Sequence, residues 1–153
     1  MWKQLQRYRA LDPEARSTFR RAAILLPVVK ALLRLRGFKK TRESLEQRGS
    51  GASAERVGAG LDPVLRISRM VRAAAQYGLV RASCLEESLT LWYLLRKGGY
   101  PAKLRIGVRK TAEKFEAHAW VEHEGAALNQ TEQIHQHYAA FESEFIEQGG
   151  ETS

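Results

Sequence analysis

One change of rhythm constrains this 153-residue chain more than anything else in it. Up to Gly98-Gly99 the apolar residues recur at helical spacing, and beyond that pair they alternate. Two Asp-Pro pairs, Asp12-Pro13 and Asp62-Pro63, read as helix starts, with Asp as N-cap and Pro at the first helical position. The first opens DPEARSTFRRAAILLPVVKALLRLRGF, which stops at Gly37, and Pro27 predicts a bend near Leu26 that divides it into two helical segments. TRESLEQ follows as a short helical turn, then RGSGASAERVGAG as a mobile connector. The second pair opens LDPVLRISRMVRAAAQYGL, with Val64, Ile67, Val71 and Ala74 on one face and Gly78 to end it.

After Gly99, KLRIGVRK alternates at Leu104, Ile106 and Val108. HAWVEHE sets Ala119 and Val121 opposite His118, Trp120 and Glu122. Both read as strands, and Glu124-Gly125 suits a hairpin turn into AALNQ. The tail, IHQHYAAFESEFIEQGGETS, reads as partly helical and then frayed. Helices followed by an antiparallel sheet make an α+β fold.

A chain of this length supports one core. The reading divides it into a basic helical extension over 1–48, a connector over 49–60 and a core over 61–153. The longest apolar block, AAILLPVV, ends at Lys30 and is far short of a bilayer span. The opening MWKQLQRYRA has no secretory pattern and a single cysteine makes no internal disulfide, so the cytoplasm is the expected compartment.

Charge is unevenly spread. Met1 to Arg48 holds 13 Lys and Arg against 4 Asp and Glu, whereas Phe115 to the end holds eight acids and no Lys or Arg. A basic front half admits an anionic partner, yet it carries no zinc-finger or aromatic RNA-binding signature. The expectation is a solvated basic helix face, no nucleic acid, and at most a weak contact with a membrane surface.

The only cysteine lies in Ser83-Cys-Leu-Glu-Glu-Ser-Leu, which opens the apolar run LTLWYLLRKGG. Ser83 as N-cap with Glu86 three residues later forms a capping box, putting Cys84 in the first turn. Unpaired N–H groups and the positive end of the helix dipole there favour a thiolate. Leu85, Leu89 and Trp92 on one stripe, with Leu91 and Leu95 on another, predict a helix buried on most sides. The alternative is a cysteine packed as a small hydrophobe.

A thiol nucleophile needs a base. His118, on a predicted strand beside Trp120, is the candidate, while His123, His135 and His137 stand in turn-like or polar sequence. Asn129 or Gln130 is placed to orient the imidazole as a third group. Glu132, His135 and His137 have metal-ligand types without a second cluster, and Gly98-Gly99 follows a helix rather than a strand, so neither a metal nor a phosphate-bound cofactor is expected.

These residues, taken in order, resemble a known family. Ser-Cys-Leu-x-x-Ser-Leu, then Leu104-Arg-Ile-Gly-Val108, Ala117-His-Ala-Trp-Val-Glu122, Gly125, Leu128-Asn129 and Tyr138-Ala-Ala-Phe141 are similar to the transglutaminase-like leader peptidases of lasso-peptide biosynthesis, in their stand-alone form. The resemblance implies a papain-like or transglutaminase-like core with an N-terminal helical extension. It also implies a cysteine peptidase that removes the leader peptide of a ribosomally made precursor. Its partners would be a separate leader-recognition protein and an ATP-using lasso cyclase. Cys84 matches the family's nucleophile and His118 its base. Where the family commonly has Asp after the Leu-Asn pair this chain has Gln130, so Gln130 or Asn129 would supply a neutral orienting amide.

Two other functions fit the residues. One is a transglutaminase or acyltransferase using the same Cys-His pair with an amine acceptor. The other is a basic helical adaptor without catalysis.

Overall fold

The computed structural model describes residues 2–50, 56–110, 112–129 and 139–141. Among them are four helices, α1 (Trp2–Ala10), α2 (Pro13–Gly49), α3 (Leu61–Tyr77) and α4 (Cys84–Lys97). Four strands follow, β1 (Lys103–Lys110), β2 (Phe115–His123), β3 (Ala126–Ala127) and β4 (Ala139–Phe141). They form one antiparallel sheet in the order β3-β2-β1-β4. The fold is α+β, as the change of period predicts.

The start of α2 follows the sequence rule: Asp12 accepts the Ala15 N–H at 2.7 Å, and Pro13 takes the first helical position. Its interior does not. Pro27 sits within continuous helix, and the break falls instead at Gly37, where φ is 75° and ψ 175°. Pro27 removes one donor, but buried Ala22, Leu26 and Val29 hold both sides of it against the core. Gly37 adopts a backbone shape that is essentially glycine's alone. The hydroxyl of buried Thr41 donates to the Gly37 carbonyl at 2.7 Å, so the helix resumes through TRESLEQ to Gly49.

The start of α3 differs from expectation as well. Its N-cap is Gly60, and Asp62 lies in the first turn with no side-chain capping bond. Gly60 at φ 80° opens the turn earlier than an Asp cap would. The basic opening before Asp12 forms a separate helix, α1, whose Tyr8 ring meets Phe19 of α2 edge-on at 5.5 Å.

α2, α3 and α4 fill one core. Ala22, Leu26, Val29 and Leu45 of α2 pack with Val64, Val71 and Ala74 of α3 and with Leu89, Leu91 and Leu95 of α4. The segment expected as an extension over 1–48 thus shares its apolar side chains with the rest of the chain. Val121 of β2 and Leu128 complete that core from the sheet side.

The sheet begins as the alternation predicts. Leu104 pairs with Val121 and Gly107 with His118. Glu124 and Gly125, at φ 48° and 81°, make the tight hairpin turn that two left-handed residues allow. The tail departs from its helical reading at Ala139–Phe141, which pairs antiparallel with Ile106, Gly107 and Val108. Those three residues offer ladder groups to the otherwise open edge of β1, which a helix would leave unpaired. The remainder of the tail lies outside the described residues.

Candidate active site

The N-terminus of α4 is built as a capping box. Ser83 Oγ accepts the Glu86 N–H at 3.3 Å, and the Glu86 carboxylate accepts the Ser83 N–H at 2.8 Å. The Ser83 carbonyl takes the Glu87 N–H at 2.9 Å. Cys84 is the first helical residue, a free, half-buried thiol. Among the described residues the N–H groups of Cys84 and Leu85 have no acceptor, so two donors remain beside the sulfur at the positive end of the helix.

A cation from another helix reinforces this start. Lys30 of α2 donates to the Arg81 carbonyl at 2.9 Å and lies 3.9 Å from the Glu86 carboxylate. It ties the segment before Cys84 to the core helix and faces the first-turn charge of Glu86. The second first-turn acid, Glu87, has its pKa raised by burial, with Arg72 of α3 pulling it the other way.

His118 stands half-buried on β2, and burial lowers the pKa of its imidazole. The Trp120 ring stacks on it, with centroids 6.3 Å apart and planes 21° from parallel. Trp120 Nε1 donates to Glu122 at 3.0 Å, and the other Glu122 oxygen accepts from Arg105 at 3.1 Å. Trp120 is almost wholly buried. One sheet face thus carries imidazole, indole, carboxylate and guanidinium in series. Beyond Glu122 this face opens into a cleft of about 650 Å³ lined by Arg96, Lys103 and Arg105.

Helix and strand are joined through Ser88, one turn after Cys84 on the same side of α4. Its hydroxyl donates to the Ala119 carbonyl at 2.9 Å, immediately beside His118. Asn129 closes the junction: its Nδ2 donates to Ser88 Oγ at 2.8 Å and its Oδ1 accepts the Val121 N–H at 2.9 Å. Ser68 of α3 donates to the neighbouring Leu128 carbonyl at 2.9 Å. The first turns of α4 are therefore fixed against the stretch of β2 that bears His118.

Cys84, His118 and Asn129 thus belong to packed or bordering elements, and the bonds of Asn129 go to the junction. Gln130 lies outside the described residues, as do Glu132, His135 and His137. Among the described residues no His, Cys, Asp and Glu side chains gather as metal ligands. His123, read from sequence as turn-like, is buried; its Nδ1 meets the Pro101 carbonyl, and its ring faces Tyr100 edge-on. Sequence reasoning also passed over Ser88 and Lys30. Ser88 had a signal, a hydroxyl four residues after Cys84 in an otherwise apolar stripe, whereas Lys30 is one of nine basic residues in an acid-free stretch over 15–42.

No helix of the described residues is long and apolar enough to cross a membrane. A family model described as the transglutaminase-like superfamily matches residues 14–143. No curated protein and no solved structure matches the chain.

Proposed function

The chain belongs to the transglutaminase-like superfamily, a fold of cysteine peptidases and acyltransferases, and from that premise we propose that it is a cysteine peptidase of lasso-peptide maturation. It removes the leader peptide from the precursor, receives that leader from a separate recognition protein, and passes the freed core to a cyclase. The observation that carries this reading is the free thiol at the capped, dipole-positive start of α4, a helix whose Ser88 is bonded to β2 at the Ala119 carbonyl, one residue after His118.

The reaction is acyl transfer to water. His118 takes the Cys84 proton, and the thiolate attacks the scissile carbonyl. The new oxyanion accepts from the unpaired Cys84 N–H, with the Leu85 N–H alongside. The C–N bond breaks as His118 returns the proton to the leaving amine, and water then hydrolyses the thioester to a carboxylate and regenerates the thiol. Burial favours the neutral imidazole that the first step requires. Gln130 orients the ring as a neutral amide in place of a carboxylate, while Asn129, whose Oδ1 and Nδ2 are engaged by Val121 and Ser88, holds the strand that carries the ring.

The test is mass spectrometry of a precursor peptide incubated with this protein and a leader-binding partner. Wild type yields free leader and core, while Cys84→Ala and His118→Ala yield intact precursor with unchanged circular dichroism. Leader release by Cys84→Ala refutes the peptidase reading. The family equally supports an amine acceptor, and a product carrying an added amine instead of a free carboxylate would assign the protein to acyl transfer.

A further inference from the structure

α2 is apolar on two opposite faces. One face, with Ala22, Leu26 and Val29, is in the core. The other presents Ile24, Val28, Ala31 and Leu35 to solvent, with Ile24 64%, Val28 47% and Leu35 83% exposed. The spacing of four, three and four residues is that of a heptad seam. On a helical wheel the four fall within an arc of about 60°, and they run for roughly 16 Å along the axis.

One rim of this seam is cationic. Arg20 and Arg34, both exposed, occupy equivalent flanking positions two heptads apart on the same side of the seam, and exposed Arg21 stands at its N-terminal end. No acid occurs between Glu14 and Glu43, so nothing in the helix itself balances these charges at the seam.

We propose that the solvent face of α2 is a docking seam for a helix of another protein whose apolar ridge is flanked by Glu or Asp. The seam is too narrow for a helix lying in a lipid interface, which needs an apolar arc of about 100° or more. A second copy of this chain is disfavoured, because it would set two acid-free stretches over 15–42, each with nine basic residues, against one another. An acidic helix satisfies both observations: its ridge covers Ile24, Val28 and Leu35, and its flanking carboxylates meet the arginines. The inference is independent of the peptidase reading and is tested without any activity measurement.

The probe is a fluorescent synthetic helical peptide with Leu at heptad positions a and d and Glu at e and g, titrated against the full chain by anisotropy. A matched peptide carries Lys at e and g. The Glu peptide should bind, and Val28→Glu with Leu35→Glu should weaken it roughly tenfold or more. Both positions are exposed, so the melting temperature should hold. Arg20→Glu with Arg34→Glu should reverse the preference toward the Lys peptide. No binding of the Glu peptide, equal binding by the seam variant, or unchanged preference after charge reversal overturns the proposal. So does seam-dependent binding to phosphatidylglycerol vesicles without peptide binding.

Discussion

Asn129→Asp, a change of one amide to one carboxylate, tests the junction that positions α4 against β2. The Val121 N–H can only donate, so it fixes Asn129 Oδ1 toward itself and leaves Nδ2 facing Ser88. Ser88 Oγ accepts from that Nδ2 and gives its own proton to the Ala119 carbonyl. The donors run in one direction, Asn129 to Ser88 to Ala119. An ionised carboxylate cannot donate to Ser88. The hydroxyl must then turn toward it and orphan the Ala119 carbonyl, or stay and face a bare carboxylate oxygen.

Ser88 is fully buried and Ala119 nearly so, so either outcome leaves a buried acceptor unpaired, at a cost of about 1–3 kcal/mol. With a urea m-value of about 1–3 kcal/mol/M, the unfolding midpoint should fall by roughly 1 M at neutral pH. A protonated carboxyl can donate to Ser88 and restore the chain. The new group's pKa in the folded protein therefore lies above its unfolded value of about 3.9. Stability relative to wild type should match below that value and be lost as pH rises through the folded pKa. Asn129→Ala leaves the Val121 N–H without its acceptor and should lose a comparable amount with no such pH dependence. An Asn129→Asp midpoint equal to wild type at neutral pH, or a deficit that grows on acidification, refutes the donor order.

Other perturbations read single features. Gly37→Ala should destabilise by about 1–3 kcal/mol in thermal denaturation through backbone strain alone, since a Cβ there meets nothing within 4 Å. The His118 ring should titrate below the ordinary 6.5 when followed by NMR. Its neutral form then contributes stability above the unfolded pKa that is lost as pH falls through the folded one, and His118→Phe should flatten that slope of the unfolding midpoint. Lys30→Met frees the Arg81 carbonyl and leaves Glu86 unopposed; about 0.5–1.5 kcal/mol should be lost, with faster hydrogen exchange in the first turn of α4.

Much of this protein was legible from local rules because those rules concern neighbours in the chain. The Ser83/Glu86 capping box, the Asp12 cap, the Gly78 stop and the Glu124-Gly125 hairpin each depend on a few consecutive residues, and each appears where the pattern puts it. The failures share a different cause. Pro27 is a helix breaker in isolation, but flanking side chains buried on either side hold the helix through it, and the break falls at Gly37. The Ala139–Phe141 stretch has no strong period of its own; it is a strand because β1 offers it an open edge. His123 sits beside a turn in sequence and yet is buried, since the strand face it shares with Val121 meets the core.

The same division runs through the candidate site. Sequence alone set Cys84 at the first turn of an apolar helix and His118, Trp120 and Glu122 on one strand face, because helix caps and strand alternation fix those relations within a single element. Only the tertiary structure decided that Ser88 and Asn129 bolt that helix to that strand, that Ser68 of α3 holds Leu128 beside them, and that Lys30 reaches across to the segment before the thiol. These are contacts between residues 31 to 60 positions apart. They exist because three helices and a sheet close over one core, and no local pattern encodes which polar side chains then face each other.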